Sequence, residues 1–219
     1  MNINQFKRRN EPTQSADKFE LENPYTLDVD VNGSIMAKVG AMVSYDGELS
    51  FTGKASAEGG IKGLIKETTS NEGTPIMEVE GNGHIYLADQ KKEVQILELG
   101  QQDSMSVNGE DVLAFESQVT YSINTIDSLA GMFAGGLTNV YLEGPGRIAI
   151  TTHGDPIVHS TPITTDPSAT VAWSGTTPEV KMNKNLSDMI GQSSGERYQM
   201  KFTDSNGFVV VQPFEEQQQ

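Results

Sequence analysis

One β-unit opens with Val31-Asn32-Gly33 and ends with Met42-Val43-Ser44-Tyr45, and a second opens with Val107-Asn108-Gly109 and ends with Gln118-Val119-Thr120-Tyr121. The two copies are offset by the same number of residues at both ends. Internal repeats set the architecture of a chain, because each copy tends to form the same supersecondary unit. This stretch therefore predicts a fold built from related β-units.

A fainter third copy begins at Thr165-Asp166-Pro167 and leads to Val171-Ala172-Trp173, which stands where the second copy has Leu113-Ala114-Phe115. The Asp-Pro pair takes the place of Asn-Gly. Because proline fixes φ at negative values, the third copy is expected to open with a different turn geometry.

A second motif recurs in step with the first and consists of a glycine turn followed by apolar residues at alternate positions. It occurs at residues 80–87 and 143–150, and more loosely at 206–211. Successive side chains of a strand point to opposite faces, so the alternate apolar residues are expected on one face. These are Ile85 and Leu87, Ile148 and Ile150, and Val209 and Val211.

Asn-Gly pairs occur at residues 32–33, 82–83, 108–109 and 206–207. Asn-Gly is a strong hairpin signal, because a type I′ turn needs a positive φ at both central residues. The sequence therefore predicts hairpin turns at these four places.

Glycine-rich connections lie between the two motifs of each copy, at Gly59–Lys66, Ile126–Leu137 and Leu186–Gly195. Each glycine in a helix interior costs about 1 kcal/mol relative to alanine, so only one or two helical turns are expected there. The chain then follows a pattern of strand, short helix and strand three times. The sequence predicts an all-β fold of three repeated units with short helical connections.

The repeats also predict the domain organisation. One all-β domain is expected over residues 18–214, with units at about 18–100, 101–160 and 161–214, because units of this size would be marginal alone and should share a core. Residues 1–17 and 215–219 are polar and are expected to be disordered tails.

The composition restricts the classes of function. The chain has 219 residues and a net charge of −15, with 30 acidic and 15 basic residues, which argues against a nucleic-acid partner. The dense basic run is Lys7-Arg8-Arg9. Absence of cysteine excludes disulfides and thiolate metal sites and fits a reducing cytoplasm. No apolar run approaches the roughly 20 residues of a membrane-spanning helix. A cytoplasmic protein, with at most peripheral membrane association, is expected.

Candidate catalytic residues are few. The histidines are His84, His153 and His159, and they include no His-x-His metal pair. His84 alternates with Ile85 and Leu87, which predicts that it points to the polar face of its strand. We expect no catalytic, cofactor-binding or metal-binding residues and no cofactor. The alternative is a metalloenzyme in which the three histidines converge on a metal ion.

Asp28-Val29-Asp30 places two carboxylates on one face of a strand. Such a pair can hold a hard cation or act in acid–base chemistry, but the favoured interpretation is a solvated face with Leu27 and Val29 buried. Gly59-Gly60-Ile61-Lys62-Gly63 lacks the Gly-Lys-Ser/Thr ending of a phosphate loop.

Two aromatic positions differ in their expected roles. Trp173 aligns with Phe115 of the second copy, which favours core packing over a ligand platform. Met132 and Phe133 form an apolar cluster among glycines, which predicts either burial under the sheets or a subunit contact. The corresponding segments near Leu64-Ile65 and Met189-Ile190 are further candidates for contacts.

Several passages together resemble the bacterial branch of the altered-inheritance-of-mitochondria twenty-four family, and they cover about residues 18–214 in order. They are Ala37-Lys38-Val39-Gly40-Ala41-Met42-Val43, Ala130 to Gly146, Ile148-Ala149-Ile150-Thr151-Thr152-His153, Asp166 to Gly175, and Ser194 to Pro213. Members of this family are similar in fold to the trp RNA-binding attenuation protein. The resemblance implies short β-sandwich units of the double-stranded β-helix type and a tendency to form oligomers. RNA binding is not expected to carry over to so acidic a chain.

The sequence thus favours a non-enzymatic structural or interaction protein that forms a homo-oligomeric β scaffold. Exposed sheet edges need covering, and assembly covers them. The alternative is a β-module that binds a small molecule, sugar or lipid headgroup in a pocket lined by aromatics such as Trp173 and Tyr86.

Overall fold

The fold was obtained as a computed structural model, which describes residues 1–13, 17–54, 76–126, 137–182 and 198–215. Within these ranges the chain forms one α-helix, α1 (Ile3–Arg9), and short 3₁₀ turns at Gly109–Asp111 and Pro167–Ala169; all other regular elements are strands. The strands are β1 Phe19–Asn23, β2 Thr26–Lys38, β3 Met42–Tyr45, β4 Glu48–Lys54, β5 Ile76–Leu87, β6 Glu93–Leu99, β7 Ser104–Asn108, β8 Val112–Glu116, β9 Thr120–Ile126, β10 Leu137–Glu143, β11 Gly146–Thr152, β12 Ile157–Ser160, β13 Ile163–Thr165, β14 Thr170–Ser174, β15 Pro178–Met182, β16 Tyr198–Phe202 and β17 Phe208–Val211.

The predicted all-β class is confirmed by these elements. The predicted helical connections at 59–66 and 186–195 lie outside the described residues, as does the interior of 126–137. Helix α1 falls inside the segment 1–17, for which the sequence predicted a disordered tail.

The strands form three antiparallel sheets. The first sheet has the order β3-β5-β2-β8-β11-β6, with β1 also pairing β2 and β4 also pairing β5. The second has the order β12-β17-β14-β7-β10-β9, and the third has β13-β16-β15.

The repeat reappears as long strands that pass from one sheet to the next. In the second copy, β7 and β10 pair in the second sheet and continue as β8 and β11, which pair in the first. In the third copy, β13 and β16 pair in the third sheet and continue as β14 and β17 in the second. In the first copy, β2 and β5 stay continuous and pair along their whole length. Three repeated strand pairs are therefore present, as the sequence predicted.

The crossing points of the second and third copies use the same turn. Asn108 Oδ1 accepts a hydrogen bond from Glu110 N at 3.2 Å, and Asp166 Oδ1 accepts one from Ser168 N at 2.7 Å. Each residue caps a 3₁₀ turn. The expectation of a different geometry for the third copy is wrong, because Asn and Asp side chains close the same Asx turn and proline fits the first position of the turn.

The four Asn-Gly pairs do not form type I′ hairpins, so that prediction is wrong. Among the described residues, the non-glycine positions with positive φ are Gln90 and Lys91 instead. Residues 32–33 and 82–83 lie inside β2 and β5, where Asn32 is opposite Asn82. Pairing with a distant strand overrides the local turn preference there.

Two glycines of β5 allow a neighbouring strand to approach closely. Gly81 and Gly83 have φ of +140° and +154°. A Cβ on Gly81 would overlap the carbonyl oxygen of Glu48, and one on Gly83 would overlap that of Asp46. The motif therefore lets a neighbouring strand lie against β5 at this point.

The core consists of three clusters. The first lies within the first sheet and includes Leu27, Val29, Ile85 and Leu87. The second joins the first and second sheets, and the third joins the second and third sheets. The predicted inward-facing residues Ile85, Leu87, Ile148, Ile150 and Val209 are all buried, whereas Val211 is half-buried. Each buried aliphatic side chain contributes about 1.5–3 kcal/mol relative to exposure.

Candidate functional site

β3 and β4 lie in line along one side of β5. Residues of β3 pair with the stretch from Leu87 to Ile85, and residues of β4 pair with the stretch from Asn82 to Ile76. Between them, Asp46 N donates to the carbonyl of His84 at 3.0 Å, and Asp46 Oδ1 accepts from His84 N at 3.3 Å. Residues 42–54 are therefore one interrupted strand, which we call the edge strand. Within the described residues its strands pair with β5 alone.

The edge strand exposes large apolar side chains, namely Met42, Val43, Tyr45 and Phe51. The rings of Tyr45 and Phe51 contact each other edge to face, with centroids 5.2 Å apart. Scattered apolar residues are common on protein surfaces, but several on one exposed strand edge are typical of an interaction site. We call these four residues the apolar edge.

The repeat shows that this exposure is particular to the first copy. Val119 stands at the repeat position of Val43, and it is 3% exposed whereas Val43 is 62% exposed. Tyr121 stands at the position of Tyr45 and packs on Phe115, with ring centroids 5.1 Å apart. The surface that the second copy covers with its own chain is open in the described part of the first.

An acidic face lies on the same sheet as the apolar edge, on the strands β1, β2 and β5, and reaches the edge strand at Ser44. Across these strands Glu20 is opposite Asp28, Asp28 is opposite Tyr86, and Tyr86 is opposite Ser44 of β3. Asp30 is likewise opposite His84. With Glu22 and Asp46, whose charges act on Asp28, the carboxylates of this face are Glu20, Glu22, Asp28, Asp30 and Asp46.

Asp28 is the buried member of this face. It is 5% exposed, although Asp30 two residues later is exposed. The interpretation of both residues as a solvated face is therefore right for Asp30 and wrong for Asp28. The reason is that β1 and β5 pair with β2 on either side of Asp28, where Glu20 and Tyr86 are its neighbours.

His84 and Asp28 form a hydrogen-bonded pair, with Nδ1 and Oδ1 3.0 Å apart. Burial raises the pKa of Asp28 above its ordinary value, against the lowering effect of the His84 contact. The hydrogen bond to Asp28 raises the pKa of His84, and burial opposes it. Burial, followed by the charge of Asp28, raises the pKa of Tyr86.

This pair resembles the way carboxylates orient histidine in enzymes, but the rest of a nucleophilic site is not assembled around it. Within the described residues, the His84 ring is hydrogen-bonded to Asp28 and no hydroxyl group is bonded to it. His84 lies on the polar side of β5, as the sequence predicted, with 39% of its side chain exposed. Histidine is the side chain of this pair that acts as a pH-dependent charge, and its raised pKa favours the charged form.

A buried charge network lies elsewhere in the first sheet and was not predicted from the sequence. Lys92 Nζ contacts Asp111 Oδ1 at 2.9 Å and donates to the Glu110 carbonyl at 3.2 Å. Lys38 Nζ donates to the same carbonyl at 2.8 Å and to Asp89 Oδ2 at 2.8 Å. Lys92 and Asp111 are 2% and 0% exposed, so the network joins strands and turns rather than meeting a ligand.

The turn that buries Lys92 is unusual. Lys92 N donates to the Asp89 carbonyl at 2.7 Å, and the two central residues, Gln90 and Lys91, have φ of 40° and 66°. Non-glycine residues seldom adopt such angles. Neither the turn nor the burial carries a sequence signal, because Lys-Lys in a polar stretch is typical of a solvated loop.

The remaining candidates occupy separate places. His159 lies on β12 opposite Val209, and His153 N donates to Gln212 Oε1 at 2.9 Å. No group of three or more His, Cys, Asp or Glu residues in the described ranges is arranged to hold a metal ion. Trp173 packs against Phe202 in the third core cluster, as the sequence favoured. The segments around Met132-Phe133, Leu64-Ile65 and Met189-Ile190 lie outside the described residues.

These features define an all-β protein of three repeated strand pairs, with an apolar edge and an acidic face on its first sheet. The chain belongs to the AIM24 family: the family model described as mitochondrial biogenesis AIM24 matches residues 20–214. This confirms the family resemblance found in the sequence.

The fold is similar to that of a solved structure, the crystal structure of a Streptococcus pyogenes protein determined by a structural genomics consortium. The two chains are 20% identical with a TM-score of 0.67, and the match covers 90% of this chain and 92% of the other. No curated protein matches the sequence. Among the described residues, no helix has the length and apolarity needed to cross a membrane.

Proposed function

We propose that this chain is a non-enzymatic, cytoplasmic structural or interaction protein that self-associates into an oligomeric β scaffold. The observation that carries the proposal is the apolar edge, where Val43 is open to solvent although its repeat counterpart Val119 is covered. An exposed apolar strand edge favours association with another chain, and most soluble oligomers are homo-oligomers.

A second open edge supports the same function. β12 ends one side of the second sheet, and its residues Ile157 and Val158 are exposed. The chain therefore presents apolar side chains on two sheet edges. Each edge also offers backbone groups that a second copy could pair with by strand addition.

The charge of the protein restricts its partners. A net charge of −15 repels nucleic acid and anionic lipid surfaces. Nucleic acid is therefore not a proposed partner, and any membrane contact is peripheral. The same charge opposes self-association, and the contacts of the scaffold should therefore be apolar or pair an acidic surface with the basic residues of the chain.

Light scattering across a concentration series tests the proposal with two matched variants. Val43→Lys places a charge on the apolar edge, and Thr52→Lys places the same charge at an exposed polar position of the same edge strand. We expect a stable oligomer for the wild type and for Thr52→Lys, and dissociation for Val43→Lys. A wild-type monomer of 23.7 kDa at all concentrations would overturn the proposal.

The alternative function, a module that binds a small molecule, sugar or lipid headgroup, now has less support. Trp173, expected to line its pocket, is buried in the core. Tyr86 is half-buried on the acidic face and is the aromatic residue on which this alternative depends. Thermal stabilisation by a ligand that is lost in Tyr86→Ala would favour it.

A further inference from the structure

Helix α1 is a short helix that presents apolar side chains to solvent. It is capped by Asn2, whose side chain accepts from Gln5 N at 2.9 Å, and no residue of the helix is buried. Ile3 and Phe6 are 82% and 60% exposed and, being three residues apart, lie on the same side of the helix. A seven-residue helix is marginal alone in water, so a surface that covers Ile3 and Phe6 would stabilise it.

The chain after α1 is held beside the acidic face. Thr13 N donates to Glu22 Oε2 at 2.8 Å, and Glu22 belongs to that face. Although this contact holds the helix near the first sheet of its own chain, α1 remains exposed there. Its own sheet does not cover it.

The charges of the two surfaces are complementary. The last turn of α1 carries Lys7, Arg8 and Arg9. Asp46 and Glu48 lie within the edge strand, and the acidic face of the same sheet reaches this strand at Ser44. Such charge pairing orients the two copies and speeds their association, whereas the affinity comes from the burial of apolar side chains.

We propose that α1 of one copy docks on the apolar edge of a second copy. Ile3 and Phe6 cover Val43 and its apolar neighbours, and the three basic residues lie against the flanking carboxylates. When each copy docks its helix on the apolar edge of the other, the two equivalent contacts form a dimer with two-fold symmetry. This inference rests on the proposed scaffold function and specifies one contact within it.

An anionic membrane is the other surface that a basic apolar helix could bind. Anionic lipid repels the body of the protein, but so does a second copy, whereas a second copy also presents the exposed apolar edge with carboxylates at fixed positions. We therefore place α1 on another copy, and membrane binding is an outcome of the test.

Cysteine crosslinking can test the contact directly, because the chain contains no cysteine. Phe6→Cys and Val43→Cys are made in separate full-length preparations, mixed and oxidised, with Asn4→Cys in place of Phe6→Cys as the matched control. We expect disulfide-linked dimers from the first mixture and about tenfold fewer from the control. Equal yields would overturn the proposal.

The same crosslink distinguishes docking within one chain. In the double variant Phe6→Cys/Val43→Cys, a disulfide within a monomer that is independent of concentration would show that α1 covers its own edge, which overturns exchange between copies. The wild type and Ile3→Asp/Phe6→Asp are also sedimented with phosphatidylglycerol vesicles. If the wild type binds the vesicles and the variant does not, α1 binds a membrane and docking on a second copy is overturned.

Measurement of self-association in two variants distinguishes this inference from the scaffold proposal. Ile3→Asp/Phe6→Asp is expected to weaken the dimer by about 100-fold or more, since two apolar side chains lose their burial, and Asn4→Asp is expected to leave it unchanged. An oligomer that persists in the double variant would contradict docking of α1 but leave the scaffold standing. A monomeric wild type would remove both.

Discussion

Replacing Lys92 with methionine tests whether the buried charge network stabilises the first sheet. The substitution keeps an unbranched side chain but removes the ammonium group that lies 2.9 Å from Asp111 Oδ1. Asp111 is 0% exposed, so without the ammonium of Lys92 its carboxylate would have to remain charged in the interior or take up a proton, and both cost free energy. Loss of one partner of a buried ion pair costs about 3–5 kcal/mol. At about 2–4 °C per kcal/mol for a chain of this size, we expect the Tm to fall by about 6–20 °C.

Denaturant and thermal unfolding followed by circular dichroism would measure the change. The double variant Lys92→Met/Asp111→Leu should regain most of the loss, because it removes the unbalanced charge together with its partner. Lys181→Met is the control: Lys181 pairs with Glu179 on the surface, and its loss should cost less than about 0.5 kcal/mol. A loss below about 1 kcal/mol for Lys92→Met, or a double variant weaker than the single, would refute the reasoning.

Two further predictions concern the strand contact in β5 and the pair on the acidic face. Gly33→Ala should lower the free energy of unfolding by about 1–3 kcal/mol from positive φ alone, because a Cβ there meets nothing within 4 Å. Gly81→Ala should cost more in denaturant unfolding, because its Cβ also overlaps Glu48. Equal costs would contradict the close approach of the strands. The raised pKa of His84 implies that its contribution to stability is fully present below its ordinary pKa of 6.5 and is lost as pH rises through the raised value. Asp28→Asn should return the pKa of His84 toward 6.5 in an NMR titration, and an unchanged titration would show that Asp28 is not the cause.

The features that sequence reasoning predicted correctly depend on local order. Alternation over a few residues places Ile85 and Leu87 on one face, and equal spacing of motifs identifies the copies. Alignment of Trp173 with Phe115 likewise predicted core packing. In each case the information lies within one strand or in the comparison of one copy with another.

The errors arise where a distant strand decides the outcome. Asn82-Gly83 has the composition of a hairpin turn, but pairing with β2 makes it the middle of a strand. Asp28 has the composition of a solvated residue, but pairing on both sides buries it. Lys92 is buried by a turn whose backbone angles its residues seldom adopt. None of these results can be obtained without knowing which strands are neighbours.

The candidate site shows the same limit. Val43 and Val119 occupy one repeat position, and the sequence gives no reason for one to be exposed and the other buried. The difference lies in the surroundings of each copy. The sequence instead directed attention to Met132-Phe133, which lies outside the described residues.

The passage of strands from sheet to sheet limits how the length of this chain can vary. In the second copy, inserting one residue into β7 or β10 would invert the inward and outward faces of that strand and displace its continuation in the neighbouring sheet. Changes in length are therefore accommodated most readily between the strands. The segments that join β4 to β5, β9 to β10 and β15 to β16, at residues 55–75, 127–136 and 183–197, stand at the same place in each copy and already differ in length. A change in the length of these three segments leaves the register of the strand pairs that they join unaltered.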